Sequence, residues 1–163
     1  MSTGILEKTN STTKSTISNF ELVGYALHMS MIFEEAFDRG YSFASFLSVF
    51  SALHYDERLY EDISLRSQSH KYFINKMEAE AKESGIILQK GDQSNMQEVF
   101  AWFGYLYGLW YQLESIPLSV ILEKCLPEEL DRQYDCLHTQ SSQYAIHSLK
   151  KEYEILWEAK AAS

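Results

Sequence analysis

The sequence predicts an all-α, single-domain bundle of about seven helices around one central aromatic helix near residues 95–114. Three observations carry this. The run VFAWFGYLYGLWYQL over 99–113 holds seven aromatic residues and no charge, so a helix there must be buried on most of its sides. Elsewhere apolar residues recur at the three- and four-residue spacing of helices. Only two prolines and seven glycines punctuate 163 residues, too few for a fold of many tight turns. A hydrophobic fraction of 45% over that length is enough for one core.

Residues 1–17 are rich in Ser and Thr and lack periodicity, which predicts a mobile arm ahead of one helical domain over 18–161. Ser18 or Asn19 can cap a first helix, along which Leu22, Val23, Tyr25, Ala26, Met29, Ile32, Phe33 and Phe37 recur until Gly40 supplies a C-terminal stop. Tyr41 leaves a one-residue joint. Ser42 can then cap a second helix with Phe43, Phe46, Leu47, Phe50 and Leu53 on one face. The stretch 54–68 is dense in charge and reads as a partly exposed connector. A third helix over 69–84 carries Tyr72, Phe73, Met77 and Ala81 and stops at Gly85. Ile86-Ile87-Leu88 reads as a brief strand or a tucked loop.

Asn95 and Glu98 have capping-box spacing and launch the aromatic helix. Val99, Trp102, Phe103, Leu106, Trp110 and Leu113 are its expected core residues. Gly104 and Gly108, four apart, match the spacing of a membrane dimer motif, but in a water-soluble fold they let another helix approach closely. The charge-free run is about 15 residues, short of the ~20 needed to span a bilayer. Pro117 and Pro127 suit the first turns of two short helices over 117–125 and 127–136. A last helix is expected over 141–160, with Tyr144, Ala145, Leu149, Ile155 and Leu156 apolar.

The formal net charge is −9, from 23 acidic and 14 basic residues. That balance opposes general binding to nucleic acid, whose phosphates are held mainly by Lys and Arg. It leaves two readings, a solvated surface or an acidic face for a basic partner. Two cysteines, Cys125 and Cys136, make no disulfide framework, and no long apolar leader opens the sequence, so a reducing cytoplasm is the expected setting.

No motif for chemistry stands out. Cys125, Cys136 and His138 form C-x10-C-x-H, without the two close pairs of a structural zinc site. Asp135 and His138 are three apart, but a di-metal bundle needs two such steps and further glutamates. There is no G-x-S-x-G elbow and no glycine-rich phosphate loop. Residues 115–135 have the outline of a helix-turn-helix. Its second helix, however, offers Glu128, Glu129, Asp131 and Asp135 against Arg132 and Gln133, which phosphates would repel. No metal and no cofactor is expected.

From Trp102 to Ile146 the chain resembles a segment of small uncharacterised bacterial helical proteins found at toxin–antitoxin-type or mobile-element loci. Gly104-Tyr105-Leu106-Tyr107, Trp110-Tyr111, Ile116 to Ile121, Tyr134, Leu137-His138-Thr139 and Ala145-Ile146 carry the resemblance. It implies an antitoxin-like or accessory role exercised by binding another protein, and it supplies no catalytic residue.

The expectation is a non-enzymatic protein-binding module. Its partner would be a toxin or a nucleic-acid-handling enzyme, whose basic site is occluded by an acidic surface of Glu34, Glu35, Asp38, Asp56, Glu57, Glu61 and Asp62. Two other classes compete. One is a small-molecule or metal-dependent enzyme using the aromatic helix and the Cys136/His138 region. The other is a self-associating structural protein.

Overall fold

Helix α1 (residues 23–38) ends where a glycine lets the chain reverse. Gly40 sits at φ +84°, its N–H bonds to Phe37 O (2.8 Å), and the Tyr41 N–H reaches back to Ala36 O (3.2 Å). This is the paired bonding of a Schellman stop, and it satisfies carbonyls that the helix would otherwise leave unpaired. The computed structural model describes residues 23–92 and 96–157. The expected arm over 1–17, the cap at Ser18 or Asn19, Leu22, the cap at Asn95 and the last predicted residues, 158–160, lie outside the described residues.

Helix α2 (Phe43–Ala52) starts as predicted, with the Ser42 hydroxyl accepting the Ser45 N–H at 3.0 Å. The charged connector is not irregular. His54, in the left-handed region at φ +59°, turns the chain into α3 (Tyr55–Glu61), and Asp62 caps α4 (Ile63–Arg66) by accepting the Leu65 N–H. These two short pieces raise the expected count of about seven helices to nine among the described residues. Helix α5 (His70–Glu83) is capped by Ser69 and ended by a second Schellman stop at Gly85, φ +71°. The apolar run 86–88 is an extended loop. It leads to a single bridge between Tyr41 and Lys90, with Ser42 N–H bonded to Gln89 O and Gly91 N–H to Gly40 O.

Helix α6 (Gln97–Glu114) is the spine. Val99, Phe103, Leu106 and Trp110 are buried as expected. Trp102 is only half-buried, edge-on to Tyr134 at 5.5 Å. Leu113 is 46% exposed, which corrects its assignment to the core. It falls in the last turn, on the side facing away from the packed helices, while Trp110 and Tyr111 take the inward positions. The two glycines face α1. A Cβ on Gly104 would lie 2.9 Å from Met29 O and Phe33 Cγ, and one on Gly108 would lie 2.9 Å from Ala26 Cα. The Ser30 hydroxyl donates to Ala101 O (2.9 Å) across the same contact. Around it Phe33 packs edge-on to Phe46 and Phe50, and Phe43 to Phe100, the favoured geometry for aromatic pairs.

Ser115, at φ +53°, breaks α6 and leads to α7 (Leu118–Lys124), where Pro117 stands just before the first turn. Helix α8 (Pro127–Leu137) has its proline in the first turn as predicted. Helix α9 (Ser142–Glu152) is shorter than the predicted 141–160. Glu154 adopts φ +52°, and the Ile155 N–H bonds back to Lys150 O (2.9 Å). The stop has glycine geometry without glycine, so nothing in the local sequence marks it. Beyond it Ile155 is buried, whereas Leu156, expected among the apolar positions, is 91% exposed. Glu114 locks this end: it accepts from Trp110 Nε1 (2.8 Å) and Lys150 Nζ (2.6 Å), and its carbonyl accepts from Trp157 Nε1 (2.7 Å). No helix among the described residues is long and apolar enough to cross a membrane.

Candidate functional site

The acidic residues predicted to form one surface are sorted by helix geometry into three groups. On α3, Tyr55, Asp56 and Leu59 turn inward, while Glu57, Tyr60 and Glu61 turn out. Asp62 follows, exposed, at the cap of α4. Glu57, Glu61 and Asp62 therefore form one acidic corner, interleaved with exposed Tyr60 and with Ile63, which is 72% exposed.

Asp56 corrects the expectation. It is 5% exposed and cannot belong to a partner-binding face. Position 56 shares the inward side of α3 with Leu59, and its carboxylate has three donors. Its Oδ2 accepts the Leu118 N–H (2.9 Å) and the Tyr107 hydroxyl (3.1 Å), and its Oδ1 accepts the Glu57 N–H (2.8 Å). The Leu118 N–H is one of the orphan donors at the start of α7, so Asp56 caps a helix from a distance. The Tyr107 hydroxyl also reaches Ile116 O (2.8 Å). Burial, reinforced by the nearby Asp56 charge, pushes the Tyr107 phenol well above its ordinary pKa. The Tyr111 phenol is pushed up to about 12, first by burial and then by the charges of Asp56, Glu57 and Glu61. Two of the corner's carboxylates are thus close enough to α6 to be felt there.

The corner is braced from α5. Arg58 donates to both oxygens of Glu80, at 2.8 and 2.9 Å, and the Tyr55 hydroxyl donates to the same carboxylate at 2.7 Å. Lys76 lies 3.3 Å from it. The Arg58 hydrogen bonds outweigh burial and hold the Glu80 carboxyl down at about 2. The Arg58 guanidinium also lies over the Tyr55 ring, 4.4 Å from its centre. With the helix anchored on both sides, Glu57 and Glu61 project from a fixed frame. Between α3, α4 and α5 lies a cavity of about 400 Å³, with Glu61, Asp62 and the exposed Tyr72 on its walls.

The α1 residues fall in a different neighbourhood. Glu35 is largely covered, held by Arg39 Nε at 2.8 Å and lying 3.9 Å from His70 Nε2. Arg39 also binds Asn75 and Glu78 on α5, and Tyr41 donates a short hydrogen bond to Glu78. Glu35 is thus a strut between α1 and α5, a second correction to the acidic surface. Glu34 is half-buried, and Asp38 is exposed and accepts from Gln97 Nε2 (2.9 Å). The sequence could not separate these roles, because Arg39 and Glu78 are remote from each other in the chain.

Cys136 and His138 lie on exposed surface, the His138 ring stacked on Tyr134 at 4.3 Å and its Nδ1 2.7 Å from Tyr134 O. Cys125 is buried apart from them, and burial pushes its thiol up to about 12. Among the described residues no three His, Cys, Asp or Glu side chains gather closely enough to hold a metal. The α7–α8 corner keeps Glu128 and Asp135 exposed. No family model, no curated protein and no solved structure matches this chain.

Proposed function

We propose that this chain is a non-enzymatic protein-binding module, antitoxin-like or inhibitory, that occludes a basic site on a partner protein. The surface is the α3–α4 corner, with Glu57, Glu61 and Asp62 as its charges and Tyr60 and Ile63 as its apolar contacts. The observation that carries the reading is the coexistence, on one braced helix, of exposed carboxylates and exposed large apolar side chains. Interfaces gain affinity from a few aromatic and aliphatic anchors, and association rate and specificity from the charges around them. The Arg58–Glu80 brace lowers the ordering cost of binding, because the corner is held before a partner arrives. A toxin or a nucleic-acid-handling enzyme is the fitting partner class, since its own basic site would seek phosphate.

The test is affinity capture from the native host at low salt with the wild-type chain and with a Glu57→Lys, Glu61→Lys, Asp62→Lys variant in parallel. The expected result is a basic protein retained by the wild type alone. Its affinity should fall at least about tenfold between low and physiological salt. A partner held equally by both chains, an affinity indifferent to salt, or no captured protein would each count against the reading.

A further inference from the structure

A second cavity, of about 430 Å³, opens between α1 and α4 and is lined by Tyr25, His28, Ile63, Arg66 and Ser67. Two of its walls carry polar atoms that the fold leaves unserved. Tyr25 is only 7% exposed, yet among the described residues its hydroxyl has no hydrogen-bond partner, and neither has the buried Nε2 of His28. Native interiors seldom tolerate one such atom, because leaving a buried donor unpaired costs about 1–3 kcal/mol. Two of them on one cavity need a shared explanation.

Arg66 supplies it. Its half-buried guanidinium has no carboxylate partner among the described residues, although the chain carries an excess of acid. Arg39 and Arg58, by contrast, are both saturated by glutamates. A guanidinium presents a planar fork of donors that matches a carboxylate, and the Tyr25 hydroxyl adds a neutral donor beside it, whereas the Ser67 hydroxyl is already given to Ser64 O (2.8 Å). One positive charge balances one negative charge. The rest of the surroundings is apolar or aromatic: Ile63 stands on the cavity wall, Tyr25 packs edge-on to Tyr60, and His28 packs edge-on to Phe73. Burial and the nearby His70 lower the His28 pKa, so a neutral imidazole stands beside these donors and adds no second cation.

We propose that the α1–α4 cavity binds a small organic monocarboxylate, its carboxylate on Arg66 and Tyr25 and its apolar body against Ile63. His28 Nε2 faces a polar substituent on that body. The two readings share Ile63, but the carboxylate would rest on Arg66 and Tyr25, which the protein-binding surface does not use, so substitutions at those two positions test this site apart from that reading.

Calorimetric titration of the full chain with benzoate, benzamide and inorganic phosphate tests it, alongside Arg66→Gln and Tyr25→Phe. Benzoate is expected to bind at about 1 mM or tighter, and benzamide about tenfold more weakly or not at all. Arg66→Gln should abolish benzoate binding while leaving the thermal midpoint in place, since the guanidinium has no hydrogen-bond or carboxylate partner among the described residues. Tyr25→Phe should weaken benzoate about tenfold. If Tyr25→Phe fails to fold, Arg66→Gln decides alone. A cavity that only holds water gives the opposite pattern: no heat with benzoate up to about 10 mM in either the wild-type or the variant chains. Equal binding of benzoate and benzamide, or phosphate binding tighter than benzoate, would likewise overturn the assignment.

Discussion

Where α6 meets α1, backbone approaches backbone: Gly104 and Gly108 leave no room for even a methyl group beside Met29 O and Ala26 Cα. Where α3 meets α5, the helices are joined by side chains, an arginine gripping both oxygens of Glu80 under a tyrosine hydroxyl. The first contact is tight because it is nearly featureless. The second is specific because each group has a designated partner. The spine has little surface left for a partner protein, while the braced helix has an outward face to spare. On the proposed function, stability and recognition are divided between the two regions.

Trp110→Ala should break the spine most severely. It empties a fully buried site and strips Glu114 of a donor, at a cost of about 3–5 kcal/mol by urea denaturation. Asp56→Ala comes next, about 3 kcal/mol, because it orphans the Leu118 N–H in the interior. Asp56→Asn, which keeps one acceptor, should recover part of that loss. Gly104→Ala should cost about 1–2 kcal/mol, the overpacking against Met29 and Phe33 exceeding the gain in helix propensity.

The brace should yield less but show a pH signature the spine lacks. The folded state holds Glu80 at about 2, below its value in the unfolded chain. Its contribution is therefore complete above the ordinary carboxylate range and is lost as pH falls from there through about 2. Glu80→Gln should cost under about 1 kcal/mol at neutral pH, since Arg58 is partly solvated, and should flatten the acid limb of stability against pH. The smallest effect is chemical. A thiol reagent should modify exposed Cys136 in the native chain and reach Cys125 only after unfolding, as mass spectrometry of the labelled peptides would show.

The helical stripes and glycine stops were legible wherever the governing chemistry is local. Ser42, Gly40, Gly85 and Pro127 act through their immediate neighbours, and each does what its residue type suggests. The left-handed stops at His54, Ser115 and Glu154 were not legible, since no glycine announces them and the fold imposes the conformation from outside. The acidic surface was legible as composition but not as geometry. Adjacent carboxylates at 56 and 57 differ by one helical step, which sends one to an interior helix cap and the other to the surface. The unserved hydroxyl of Tyr25 had no signature at all, because its position in an apolar stripe read as ordinary packing.

The glycine seam also sets a schedule. Ser30 waits for Ala101, 71 residues downstream, before its hydrogen bond can close. Helical bundles fold quickly when neighbours in the chain are neighbours in space, and this seam is the reverse case. During synthesis that interval lasts roughly 4–14 seconds at about 5–20 residues per second. Through all of it the strip of α1 that meets the two glycines, with Ala26 and Met29, lacks its α6 partner. Until then α1 can pack on α2, through Phe33 against Phe46 and Phe50, well before its own spine exists.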